Sequence, residues 1–144
     1  MPLENHFRKL ERMYQIAPVN EFYKPVMVIS EGEAEIKIKV EKKHFHAANA
    51  VHGSVYFKML DDAAFFAANS FVDDVFVLTI SFNIHLVRPV DKGVIRAVGT
   101  VKYKSKNLFV AEAVLYNEEG KIISFGTGNF MRSKVALTGL IGYK

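Results

Sequence analysis

One segment of the chain departs from the pattern on both sides of it. Residues 54–70, SVYFKMLDDAAFFAANS, contain no Gly or Pro and are rich in Ala, Phe, Leu and Met, and their clearly polar positions are Lys58, Asp61, Asp62 and the residues at the end. Good helix formers in a run of four to five turns predict an α-helix. A helix apolar on nearly every side is stable only when other elements enclose it. The rest of the chain must therefore supply a wrapper.

The flanking sequence reads as that wrapper. From Glu33 to Lys43 the residues alternate, with Ala34, Ile36, Ile38 and Val40 on one side and Glu35, Lys37, Lys39 and Glu41 on the other, a strand with one wet face. A longer strand follows the helix over 75–87. Its alternation places Phe76, Leu78, Ile80, Phe82, Ile84 and Leu86 on one face, and Thr79, Ser81, Asn83 and His85 on the other. Three further strands are predicted near 93–104, 107–117 and 121–131. Their connections, PVDKG, KSKN and NEEGK, read as the short turns of a meander. Residues 3–15 form an amphipathic helix through Leu3, Phe7, Leu10, Met13 and Tyr14, and Pro18 and Pro25 bracket a loop. The expected fold is α+β: one antiparallel sheet around one long central helix, in a single domain over 1–144, with residues 1–20 as a helical extension.

Composition narrows the function classes. Half of the 144 residues are hydrophobic, enough for one real core, and the aromatic share comes from 12 Phe and 6 Tyr with no Trp. No apolar run approaches the roughly 18 residues of a membrane span, and MPLENHFRKLERMYQ carries charge throughout rather than the apolar centre of a secretory signal. Cysteine is absent, which removes disulfides and thiolate metal sites and fits a cytoplasmic protein. A net charge of +4, from 19 basic and 15 acidic residues spread along the chain, does not call for a nucleic-acid partner.

The chemistry concentrates in His44–Asn69. Gly53 precedes the helix, with Ser54 as the expected N-cap. The first turn of a helix offers unpaired N–H groups and partial positive charge, so a carbonyl at the Gly53 amide would be polarised and its developing oxyanion stabilised. Asp61 and Asp62 lie two turns further in and about 100° apart around the helix, so they cannot share one role. Asp62 is one turn from Lys58 and pairs with it. Asp61 shares its stripe with Ala64, Phe65 and Ala68, has no such partner, and is the candidate functional acid.

The run from His52 to Ala68 resembles the signature of the phenylacetate-degradation (PaaI-like) acyl-CoA thioesterases of the hotdog-fold superfamily: a His-Gly-Gly, a helix, and an Asp nine residues after the His. The matching residues are His52-Gly53-Ser54 and Asp61, followed by Ala63 and Ala64. Thr79–Leu86 with Arg88-Pro89 and Gly93 resembles the next block, and Phe125-Gly126-Thr127-Gly128 the glycine-rich last strand. The similarity runs over roughly residues 20–132. It implies hydrolysis of an acyl-CoA to acid and CoA, without a cofactor. Asp61 would be general base or nucleophile, the Gly53 amide would bind the oxyanion, and the Asp would act across a dimer interface opposite the Gly of another subunit. Where many members have an Asn six residues before the His, this chain has His46, with Asn49 three residues later; the assisting polar role falls to one of these two. Thr79 lies near where some members place a hydroxyl that holds the attacking water.

His52 fits either a catalytic role or a structural one that shapes the turn. Phe65 reads as core and as wall of an acyl pocket. His44 and His46 would share a strand face, but with no Cys and no acid at ligand spacing no metal site is expected. Arg88, Lys104, Lys106 and Arg132 are candidate contacts to CoA phosphates, and Ser54 a substrate contact at the helix start. His85 is expected to face solvent or a subunit interface. Half-exposed sheet positions suit burial by a second copy, giving a homodimer and plausibly a tetramer of two dimers. Two other functions belong to the same fold. HFHAAN is similar to the His-Phe-Pro-Gly opening of the acyl-carrier-protein dehydratases but lacks the Pro-Gly. A non-catalytic acyl-CoA sensor is the other, with about 30 N-terminal residues too few for a helix-turn-helix.

Overall fold

A computed structural model describes residues 3–144. In chain order it contains α1 (Leu3–Ile16), α2 (Asn20–Tyr23), β1 (Val26–Ser30), β2 (Glu33–Lys39), α3 (Gly53–Asn69), β3 (Val75–Leu86), β4 (Val94–Lys104), β5 (Leu108–Tyr116) and β6 (Ile122–Ala136), with short 3-10 turns at Lys42–His44 and Gly139–Ile141. The six strands form one antiparallel sheet in the order β1-β2-β4-β5-β6-β3. The sheet wraps α3, which packs against β2, β3, β4, β5 and β6. Met59, Leu60, Ala63, Ala64, Ala67 and Ala68 of α3 are fully enclosed, as an all-round apolar helix requires. This is the expected architecture, the hotdog fold. Among the described residues no helix is long and apolar enough to cross a membrane.

The small residues set how closely the layers meet. A Cβ at Gly99 on β4 would overlap the backbone of Ala63, so the helix lies directly on the strand with no side chain between them. On β6, a Cβ at Gly128 would sit 2.6 Å from the ring of Phe82, so the glycines of the last strand hold space for that ring.

The connectivity differs from a four-strand meander. Only β4, β5 and β6 form one; β3 crosses the sheet and pairs with β6 at the far edge. The segment containing PVDKG is therefore a crossover, not a hairpin turn. It is tied to the start of α3 by Val51 N–H donating to Val90 O at 2.9 Å and Tyr56 O–H donating to Arg88 O at 2.9 Å. A sixth strand, β1, occupies part of what reads as a loop, and a two-residue turn at Glu31-Gly32 (Gly32 φ 74) joins it to β2. The strand after Glu33 stops at Lys39, and the last strand runs on to Ala136.

The face assignment of β3 also changes midway. Thr79 pairs with Phe130 and Ser81 with Asn129, so Ile80 is an extra residue, a β-bulge. Before it, Val77 is buried and Thr79 points to α3; after it, Phe82 meets Phe57 of α3 edge-on at 5.7 Å. Leu78 and Ile80, placed by strict alternation on the same face as Phe82 and Ile84, are exposed instead. A bulge puts both Thr79 and Phe82 on the helix side, which a regular strand could not do.

At the other end of the molecule, α1 buries Phe7, Leu10, Met13 and Tyr14, while Leu3 stays exposed and His6 takes a buried place. The His6 ring bridges two distant segments, with Nδ1 2.7 Å from the Tyr143 hydroxyl and Nε2 3.0 Å from the carbonyl of Asn69. The chain's last residues are thereby folded back onto α1.

Candidate active site

Asp61 is held from β3. Thr79 Oγ1 donates to Asp61 Oδ1 at 2.9 Å, and Oδ2 has no hydrogen-bond partner among the described residues. Burial pushes the Asp61 carboxyl up to about 6; the Thr79 hydroxyl opposes that shift, neighbouring Asp62 adds to it, and Lys58 opposes it. A carboxylate with this pKa is ionised near neutrality yet more basic than an exposed one, which suits it to taking a proton from water.

Asp62 does different work, as its helical position predicts. It accepts from Lys58 Nζ at 2.5 Å and from the Tyr14 hydroxyl at 2.7 Å, and the Lys58 ammonium also lies over the rings of Tyr14 and Tyr23. This network fastens α1 to α3 beside the candidate acid. Asp61, Asp62 and Lys58 form the polar end of an otherwise mostly apolar cleft of about 700 Å³, whose wall includes Phe65 and Phe76. Phe65 lines this cleft, and its ring also lies 5.9 Å from that of Phe130 in the core.

The start of α3 is built differently from expectation. His52, not Ser54, is the N-cap: its Nδ1 accepts from Ser54 N at 3.0 Å and lies 2.8 Å from Ser54 Oγ. For Nδ1 to accept both, the ring proton is on Nε2. Of the two roles open to His52, this geometry provides the structural one. The Ser54 amide is consumed by the cap, whereas the Gly53 amide donates to no group among the described residues. A Cβ at Gly53 would stand 2.9 Å from Leu86 Cδ2, so the glycine also admits the end of β3.

The remaining candidates are not gathered around Asp61. Gly53 lies eight residues away on the same helix, about 12 Å along its axis. His46 and Asn49 sit in an exposed turn and line a separate open hollow with Lys42, Phe45 and Asp91. The His46 ring is 6.5 Å from His52, its Nδ1 accepts from Ala48 N, and Asn49 holds the turn at φ 64. His44 and His46 share no strand face: His44 is buried in a 3-10 turn, stacked on Tyr23, and His46 is exposed. Burial lowers the His44 pKa, with Glu41 opposing and Lys43 adding to the shift. His85 is exposed and stacks on Phe125 at 5.0 Å.

The four cations do not converge within one chain either. Arg88 N–H bonds Ile123 O near the start of β6, while Arg132 lies about 30 Å along that strand, paired with Asp74 Oδ2 at 2.6 Å. Lys104 lies over the Phe71 ring at 3.9 Å, and Lys106 is exposed in the neighbouring β4–β5 turn. The feature that sequence reasoning missed is the wall formed by α1 and the last residues of the chain. Its signal was faint: apolar Leu140 and Ile141 between glycines.

This fold, with an acid in the middle of the enclosed helix and a free glycine amide at its start, defines a known class. The chain belongs to the thioesterase superfamily, whose family model matches residues 48–124. A protein of Thermoplasma volcanium named as an esterase, TV1331, is 26% identical over 100 residues, covering 69% of this chain and 75% of that one. Among solved structures, the Escherichia coli PaaI protein of the phenylacetic acid degradation operon superposes with a TM-score of 0.85 at 20% identity, over 94% of this chain and 98% of that one. The Haemophilus influenzae thioesterase HI1161 superposes with a TM-score of 0.77 at 18% identity, over 91% and 90% of the two chains. Superfamily membership supports thioester hydrolysis; structural likeness at these identities establishes the fold.

Proposed function

We propose that the chain hydrolyses acyl-CoA thioesters, with Asp61 as the catalytic carboxylate. The observation that carries this reading is the Thr79-supported carboxylate, with its raised pKa, at the polar end of an apolar cleft. The thioester carbonyl carbon is attacked by a water whose proton passes to Asp61, or by Asp61 itself to give an acyl anhydride that water then opens. In either route the carbonyl oxygen gains negative charge, the C–S bond breaks, and the CoA thiolate receives a proton.

The oxyanion needs a donor that Asp61's own chain does not bring near. The unpaired edge of β3 offers a solution. Two copies joined antiparallel along this edge would set the Leu86 end of one, beside Gly53, near the Thr79 region of the other. The Gly53 amide of one copy would then face Asp61 of its partner. Covering this edge also resolves an exposed strand carrying Leu78, Ile80 and Leu86. The functional unit on this reading is a homodimer, with a dimer of dimers as its extension.

The test is release of free CoA from an acyl-CoA panel by wild type and Asp61→Asn. Turnover by wild type and a loss of 100-fold or more in the variant are expected. Turnover that survives the substitution removes Asp61 from the mechanism, and binding without turnover in either protein would indicate a sensor.

A further inference from the structure

The cleft that ends at Asp61 has a wall built from the two ends of the chain. One side is the C-terminal half of α1 and the residues after it, including Met13, Ile16 and Val19; the other carries Leu140 and Ile141 of the last 3-10 turn. The turn is fixed in place by several contacts. Thr138 caps it by accepting from Leu140 N, and the Tyr143 hydroxyl meets the buried His6 ring. Arg12 Nε donates to Lys144 O at 2.6 Å. Gly142, at φ 92, is seated so close to α1 that a Cβ there would meet Ile16 Cδ1 at 2.5 Å. This anchoring holds up a leucine that is itself 97% exposed, beside an Ile16 that is 63% exposed. Two large apolar side chains are thus kept in water on the lining of a cleft that also carries Lys58, Asp61 and Asp62.

A volume of about 700 Å³ falls in the range of small-molecule sites, which are mostly apolar with a few placed polar groups. The lining suits a ligand of two characters: Asp61 for a reactive polar head, and apolar side chains, Ile16 and Leu140 among them, for an apolar tail. We propose that this cleft receives the acyl chain of the thioester, and that Ile16 and Leu140 set the length of chain accepted. The proposal rests on the thioesterase reading and goes beyond it by naming a linear, apolar acyl class and the residues that select it. A short acyl group leaves the rim uncovered. A longer chain covers Ile16 and Leu140, and each methylene buried there strengthens binding about fourfold until the cleft is full.

The experiment measures kcat/KM for acyl-CoAs from butyryl to hexadecanoyl with wild type, Leu140→Arg, Ile16→Ala and, as a control, Val28→Arg on the exposed face of β1. Wild type is expected to favour dodecanoyl over butyryl. Leu140→Arg should lower that ratio tenfold or more and Ile16→Ala severalfold, with Val28→Arg matching wild type. An unchanged ratio in both rim variants overturns the proposal. So does an unchanged ratio accompanied by a smaller oligomer in sedimentation, because a second copy would then be what covers the rim. Direct binding of the fluorescent fatty acid cis-parinaric acid separates the two readings if no CoA is released from any substrate. Saturable binding weakened tenfold by Leu140→Arg would uphold the acyl site while the hydrolytic reading fails. No binding, or binding indifferent to Leu140, would remove the acyl site as well.

Discussion

Thr79 Oγ1 and Asp61 Oδ1 meet at 2.9 Å across the gap between β3 and α3, and this bond favours the ionised carboxylate against its burial. Replacing Thr79 by Val removes the donor and keeps the shape. The Asp61 pKa should rise further, by up to about one unit. If Asp61 is the base, the rising limb of kcat/KM against pH, expected near 6 in the wild type, moves alkaline by that amount. A limb that stays in place would separate the bond from catalysis.

The same carboxyl makes a stability prediction with an unusual sign. Its pKa is raised from 3.8 unfolded to about 6 folded, so the folded state binds the proton more tightly. The contribution is fully present below about 3.8 and is lost as pH rises through 6. Asp61→Asn should therefore gain about 2 kcal/mol on the wild type between pH 4 and pH 7, read by urea denaturation at both values. A constant difference between the two proteins would show that the acid is solvated.

At Gly99, substitution by Ala should be among the most damaging single-methyl changes in the chain. Its Cβ would overlap the Ala63 backbone, so α3 must lift from β4. A loss of about 3 kcal/mol or more is expected in thermal or chemical unfolding.

His52→Ala should cost about 1 kcal/mol of stability, because the capping acceptor for Ser54 N is lost. His52→Asn supplies another side-chain acceptor and should recover most of it. Restored stability without restored turnover would give His52 a chemical role as well.

Much of this structure was legible because it rests on local pattern. The apolar run 54–70 could only be an enclosed helix, and the Lys58–Asp62 spacing by itself assigns the ion pair. Two long-range facts were not legible. The partner of β3 depends on which edge of the sheet is open after β4–β6 have formed, and nothing within 75–87 records that. The bulge at Ile80 is one extra residue in an alternating sequence, visible only once Thr79 and Ser81 are set against consecutive residues of β6. The N-cap was mistaken for a related reason. His52 and Ser54 are both able to accept, and only the backbone conformation of His52, φ −64 and ψ 142, decides between them.

The bulge also governs how β3 should be read by mutation. Strand tolerance ordinarily keeps one phase from end to end, with odd and even positions behaving alike throughout. Here the phase reverses at residue 80: the side chains turned toward α3 and the core are at odd positions before it, Val77 and Thr79, and at even positions after it, Phe82 and Ile84. A saturation scan of residues 75–86 would carry the signature of two half-strands out of step. Deleting Ile80 would bring them into a single phase and withdraw either Thr79 from Asp61 or Phe82 from its place over Gly128.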